Sequence, residues 1–212
     1  MSSDARLYLL TPRLKDAAPF APMLRSALAS GDVACVLARL EAAVDEGGAK
    51  KILRALIETA QPLGVALIVE DNAGLALKTG ADGVHISGDE DALQHALKQL
   101  KPGRIVGAGN LRSRDAAMSL GETGVDYLMF GEPASDGFVQ PLEKTLERVD
   151  WWASIFTLPC VAYAGSADAV DPLAAAHAEF IALGEWLWDS ADVASAVALA
   201  AAAAARNPLP VA

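Results

Sequence analysis

The stretch from Val65 to Asp91 constrains the fold of this chain more than any other. Val65–Val69 is a short β-branched run that ends in Glu70-Asp71. A helix-length segment follows, then a Gly80-Ala81-Asp82-Gly83 turn, then a second run, Gly83–Ile86, that ends in Ser87-Gly88-Asp89-Glu90-Asp91. Two strands joined by a helix-sized crossover run parallel, so both acidic clusters are expected at the same end of one sheet. In α/β barrels that end carries the chemistry. Paired carboxylates there suit a hard divalent cation such as Mg²⁺, which takes oxygen ligands and is often shared with substrate phosphates.

The same strand-and-helix period runs through the chain. Strand-like runs fall at Arg6–Leu10, Val33–Leu37, Val65–Val69, Gly83–Ile86, Arg104–Ala108, Val125–Phe130, Pro159–Tyr163 and Glu179–Leu183. Several are continuously apolar, as strands covered on both faces must be, which fits a parallel sheet. Helical patterns lie between them at Ala49–Ala60, Asp91–Leu100, Arg114–Leu120, Leu142–Ile155, Ala167–Ala176 and Glu185–Ala205. In the first, Ile52, Leu53, Leu56 and Ile57 share one face, away from Lys50, Lys51 and Arg54. Eight such units in 212 residues predict a (β/α)8 TIM barrel spanning 1–212 as a single domain, with 207–212 a frayed tail. An open doubly wound sheet is the rival. It is disfavoured because no Gly-rich dinucleotide fingerprint follows the first strand.

A formal net charge of −10 argues against nucleic acid and anionic membranes as partners, since both require basic patches. The opening Met-Ser-Ser-Asp-Ala-Arg lacks the pattern of a secretory signal, and the alanine run Ala194–Ala205 is too short to span a bilayer. A cytoplasmic protein is expected, in which Cys35 and Cys160 are buried, reduced thiols. Homo-oligomerisation stays open.

Several pieces together resemble the thiamine phosphate synthases and their relatives, the thiazole tautomerases. They are Leu7–Thr11, Asp71–Ser87 (above all LALKTGADGVHIS), Arg104–Gly109, Val125–Gly131 and Val161–Gly165. The order and spacing of the pieces are more specific than any one of them. The resemblance implies a TIM barrel that joins an aminopyrimidine pyrophosphate to a thiazole phosphate and releases pyrophosphate, with Mg²⁺ as cofactor and phosphorylated small molecules as ligands. Carried over residue by residue, it implies metal carboxylates at Asp71 and Glu90, and a phosphate turn at Gly165 and Ser166. Gly109 and Gly184 stand where the family places further substrate contacts after the fifth and eighth strands.

The departures are as informative. The Gln and Lys that the family carries on its second strand are expected at Val36 and Leu40 here, so both polar groups are missing. Glu70 replaces a neutral donor. Glu132–Phe138 replaces a loop containing Thr and Lys. Glu185 is expected to open the last helix and to take the place of a phosphate at its N-terminus, where free N–H groups and the helix dipole attract anions. These changes leave open a catalytically degenerate paralogue with a binding or regulatory role, or a tautomerase-like isomerase. No catalytic residue is assigned.

The remaining candidates carry plain alternatives. Asp89 reads as a helix N-cap. His85, mid-strand, is expected inside the barrel, His95 on an exposed helix and His177 in a turn. Trp186 is the best placed of the tryptophans to line a ligand pocket, while Trp151 and Trp152 read as core or subunit contacts. Arg112 and Arg114 are expected to be the only cations clustered near the mouth. Ser135-Asp136-Gly137 reads as a turn.

Overall fold

A computed structural model describes residues 4–134, 136–207 and 209. Eight parallel strands close into a barrel in chain order, each paired with the next and the last with the first. They are β1 (Arg6–Leu14), β2 (Val33–Leu40), β3 (Ala66–Glu70), β4 (Gly83–Ser87), β5 (Ile105–Gly109), β6 (Tyr127–Phe130), β7 (Cys160–Ala164) and β8 (Phe180–Leu183). The helices are α1 (Ala21–Leu28), α2 (Glu46–Ala60), α3 (Ala73–Thr79), α4 (Glu90–Leu100), α5 (Arg114–Gly121), α6 (Leu142–Ile155), α7 (Val170–Ala175) and α8 (Val193–Ala204). Every strand expected from the sequence is present, and the doubly wound alternative is excluded by closure.

The helix starts are chemically marked. Asp45, Asn72, Asp89, Ser113 and Asp192 each accept a backbone N–H in the first turn of α2, α3, α4, α5 and α8. Each such cap contributes about 1 kcal/mol by satisfying a donor that has no partner within the helix. Two boundaries differ from expectation. The segment α1 was not anticipated: it has no side-chain cap, and only Pro22 in its first turn marks its start. The last helix starts at Val193 rather than Glu185; Glu185–Leu187 forms a separate 3-10 turn, and Asp192 caps α8. At the C-terminal end, Asn207 donates its amide to the Asp171 carbonyl at 3.4 Å. Residues 208 and 210–212 of the expected tail lie outside the described residues, as does Ser135 of the expected turn.

Two apolar layers hold the barrel. The outer layer lies between sheet and helices and includes Val36, Ala38, Leu53, Leu128 and Trp152. The inner layer plugs the barrel with Tyr8, Leu10, Cys35, Leu37, Ile68, Tyr127, Met129, Val161 and Ala182. Alternation along β2 therefore sends Cys35 and Leu37 inward and Val36 and Ala38 outward, and it puts Arg39 on the inner side at the mouth. This corrects the placement of the family's Gln and Lys. Val36 is fully buried in the outer layer and cannot face a substrate, while Leu40 packs partly against that layer and also lines the hollow beside Asp71. Both cysteines are free and buried, as expected. Among the described residues, no helix is long and apolar enough to cross a membrane.

Candidate active site

Parallel strands put all eight βα loops on one rim, and the polar groups of the barrel converge beneath it. The floor is a chain of hydrogen bonds across the axis. Tyr8 and Tyr127 join through their hydroxyls at 2.8 Å, and Tyr127 Oη lies 3.1 Å from His85 Nδ1. The His85 and Tyr127 rings stack with centroids 5.6 Å apart. Burial pushes both tyrosine hydroxyls well above their ordinary pKa, so they act as neutral hydrogen-bonding groups. Tyr127 fits because Gly107 has no side chain: a Cβ there would strike the tyrosine ring.

Above this floor stands Glu132, which sequence reasoning recorded only as part of a substituted loop. Its side chain is 7% exposed, and Oε1 lies 3.8 Å from His85 Nε2. The backbone N–H of Asn110 donates to that same oxygen. Two residues in left-handed conformations flank the carboxylate, Asn110 at φ 57° and Gly131 at φ 91°. Gly109 must be glycine for this arrangement, since a Cβ there would run into the Glu132 carboxylate and come within 2.7 Å of His85 Nε2. Among the described residues, Glu132 Oε2 and His85 Nε2 are buried and have no hydrogen-bond partner.

Two arginines bring positive charge to the mouth, where Arg112 and Arg114 were expected. Arg39 is 7% exposed; its Nε donates to the Thr11 carbonyl at 2.8 Å, and its Nη2 pairs with Glu185. Arg13 reaches Glu70 at 2.7 Å. Glu185 thus neither caps α8 nor stands as an uncompensated anion, and Glu70 is neutralised as well. Arg112 is engaged elsewhere, by Asp136 at 2.6 Å and the Phe138 ring, and Arg114 lies over Trp151. Tyr163 completes the inner wall, its hydroxyl raised in pKa by burial and held back by the nearby Arg39 charge. That hydroxyl occupies the place a Gly184 side chain would take.

The metal carboxylates expected from the sequence are on the rim but not in contact. Asp71, at φ 50°, accepts the Ser87 N–H at 2.8 Å and lines a hollow between β3, α2 and α3. Glu90 is in the exposed first turn of α4 and lines a different hollow, shared with Gly109. Asp89 is spent as the α4 cap, as expected. Among the described residues no three His, Cys, Asp or Glu side chains form a ready metal cluster. Mg²⁺ needs only one or two carboxylates when waters and substrate phosphates complete its shell, so it does not require such a cluster. Gly165 and the exposed Ser166 lead into a 3-10 turn at Ala167–Ala169, where Ser166 makes no side-chain cap. With Thr145, Gln140 and Tyr163 they line a third hollow, of about 160 Å³.

The tryptophans are structural. Trp186 donates its indole N–H to the Ala164 carbonyl at 2.8 Å, Trp188 donates to Leu10 at 2.6 Å, and Trp152 is buried in the outer layer. Trp186 is therefore fixed at the end of β7 by its own hydrogen bond. His95 is exposed and His177 occupies a turn at φ 66°, both as read from the sequence.

With this geometry in place, comparison with known proteins is decisive for the family. The model of the thiamine monophosphate synthase family matches residues 7–186. This chain belongs to that family. It is 40% identical over 205 residues to a thiamine-phosphate synthase of Rhodospirillum centenum, covering 92% of this chain and 96% of that protein. A thiamine-phosphate synthase of Hyphomonas neptunium is 36% identical over 196 residues, covering 88% and 87%. The solved thiamine phosphate pyrophosphorylase of Pyrococcus furiosus superposes with a TM-score of 0.79 over 94% of this chain and 95% of that one, at 23% identity. A 3-hexulose-6-phosphate synthase superposes at 0.72 with 18% identity, covering 96% and 99%. The same barrel thus serves different chemistries, and the rim residues of this family member carry the functional argument.

Proposed function

We propose that this chain is a thiamine phosphate synthase. It joins an aminopyrimidine carried on pyrophosphate to a thiazole phosphate, and pyrophosphate leaves. The observation that supports the reading most is the family match along the whole barrel, from residue 7 to 186. In this reading the bond from the pyrimidine methylene carbon to the pyrophosphate oxygen breaks, and the thiazole nitrogen supplies the electron pair for the new C–N bond. The chemistry demands stabilisation of negative charge on the departing oxygens.

Asp71 and Glu90 would hold Mg²⁺ together with the pyrophosphate; the metal supplies charge neutralisation to the leaving group. Arg39 would supply the protein's own positive charge where the family's lysines are missing. Its guanidinium is fixed by the Thr11 carbonyl, while its other partner, Glu185, has a side chain 58% exposed that a phosphate can displace. Gly165 and Ser166 would receive the thiazole phosphate through backbone N–H groups and the free Ser166 hydroxyl. Gly109 and Gly184 make room at the mouth for the Glu132 carboxylate and the Tyr163 hydroxyl. The two buried free thiols fit a cytoplasmic location.

A second reading, a ligand-binding paralogue without turnover, is favoured by one observation: Glu132 puts a carboxylate without a cationic partner beside the path of an anionic substrate. Complementation separates the two. Expression in a bacterial strain lacking its own synthase should restore growth without thiamine. No growth, with folded protein in the cell, would favour the second reading.

A further inference from the structure

We propose that Glu132 and His85 form the recognition pair for the amidine edge of the aminopyrimidine, the exocyclic amine and the unprotonated ring nitrogen beside it. The proposal rests on the synthase reading for the identity of the ring. Its physical basis is the pair of buried atoms without a hydrogen-bond partner among the described residues, Glu132 Oε2 and His85 Nε2. Buried polar atoms are costly to leave unsatisfied, so the site is built for a group that satisfies both.

The donor and acceptor pattern follows from the surroundings. His85 Nδ1 meets the Tyr127 hydroxyl, and Nε2 faces the Glu132 carboxylate at 3.8 Å. A hydrogen on Nε2 is favoured by the nearby carboxylate, and the bare Nδ1 then accepts from Tyr127. The pair therefore offers one acceptor, Oε2, and one donor, Nε2–H. A 4-aminopyrimidine presents the complement, an N–H donor next to a ring nitrogen acceptor. Its oxo counterpart presents a carbonyl where the amine stood, which a carboxylate repels.

The site is constructed rather than incidental. Asn110, in a left-handed conformation, turns its N–H onto Oε1 and leaves Oε2 for the ligand. Gly131 precedes Glu132 at φ 91°, and a Cβ there would strike Thr145 at 2.7 Å. Gly109 makes room for the carboxylate beneath the mouth. Nor does Glu132 repel the ring as it would a phosphate, since the aminopyrimidine edge is the uncharged, N–H-bearing end of that substrate.

The test is calorimetric titration of the full chain with a 4-aminopyrimidine lacking phosphate, and with its 4-oxo counterpart. The wild type should prefer the amino ring by about tenfold or more, because a site built to pair with an N–H rejects an analogue lacking it. Glu132→Gln, whose amide can serve either ring, should lose that preference, and Glu132→Ala should bind both rings weakly, each variant being checked for an unchanged thermal melt. An unchanged preference in Glu132→Gln, as expected if only an internal water bridges the two atoms, would overturn the proposal. So would a wild type that binds neither ring. Because no turnover is involved, this outcome is separable from failure of the synthase reading, which shows as absent pyrophosphate release.

Discussion

Replacing Arg39 tests how the mouth carries its charge. In Arg39→Met the backbone N–H bond to Thr11 Oγ1 at 3.0 Å is kept, and two side-chain interactions go. The Nε bond to the Thr11 carbonyl is buried, and its loss leaves that carbonyl unpaired, a cost of about 1.5–3 kcal/mol. The pair with Glu185 adds under about 1 kcal/mol, because that carboxylate is 58% exposed and solvent replaces its partner. Methionine regains a little by burying an apolar chain where a guanidinium was desolvated. The net expectation is about 2 kcal/mol of lost stability, or about 4–8 °C in Tm for a chain of this size. Glu185→Gln should cost under about 1 kcal/mol, since a side chain already in water loses little. Urea unfolding and scanning calorimetry of both variants read the asymmetry. Equal losses, or a larger loss for Glu185→Gln, would refute the view that Arg39 is anchored from below by Thr11 and only loosely tied from above.

Two further outcomes follow from the same geometry. Gly109→Ala should cost about 1–3 kcal/mol by overpacking and abolish pyrophosphate release, because the new methyl group displaces Glu132; a thermal melt and a turnover assay check this, and an unaltered enzyme would contradict the packing described. Away from the mouth, Glu46 is held at a pKa of about 2, chiefly by hydrogen bonds from Lys50 and then Lys78. Its folded pKa lies below its unfolded value, so its contribution is present above about pH 4.5 and is lost as pH falls towards about 2. The stability curves of wild type and Glu46→Gln should therefore differ above that window and converge within it, and concentrated salt should narrow the gap.

The barrel was legible because its strands are apolar and recur at fairly even intervals between helical patterns. What escaped was set by weak or misleading local signals. The segment α1 has no side-chain cap, and Pro22 in its first turn is the local start signal that went unused. The run from Glu185 to Ala205 reads as one helix by composition, yet Asp192 breaks in as the cap of α8. Arg39 could have been found from the two-residue period of β2, which places Cys35, Leu37 and Arg39 on one face; the assignment to Val36 and Leu40 missed that register. The meeting of His85 and Glu132 had no such signal. They stand on β4 and in the loop after β6, and closure of the barrel through β5, with Gly109 between them, is what brings them together. The acidic pair was readable as rim carboxylates, whereas their lying in separate hollows was not.

The central claim is tested most directly by pyrophosphate release from the purified protein supplied with both thiamine precursors, with and without Mg²⁺, beside an Asp71→Ala control. The account predicts metal-dependent release matched by thiamine phosphate formation, and its loss in the control. Absence of release from folded wild-type protein, or release unaffected by Asp71→Ala, would contradict it.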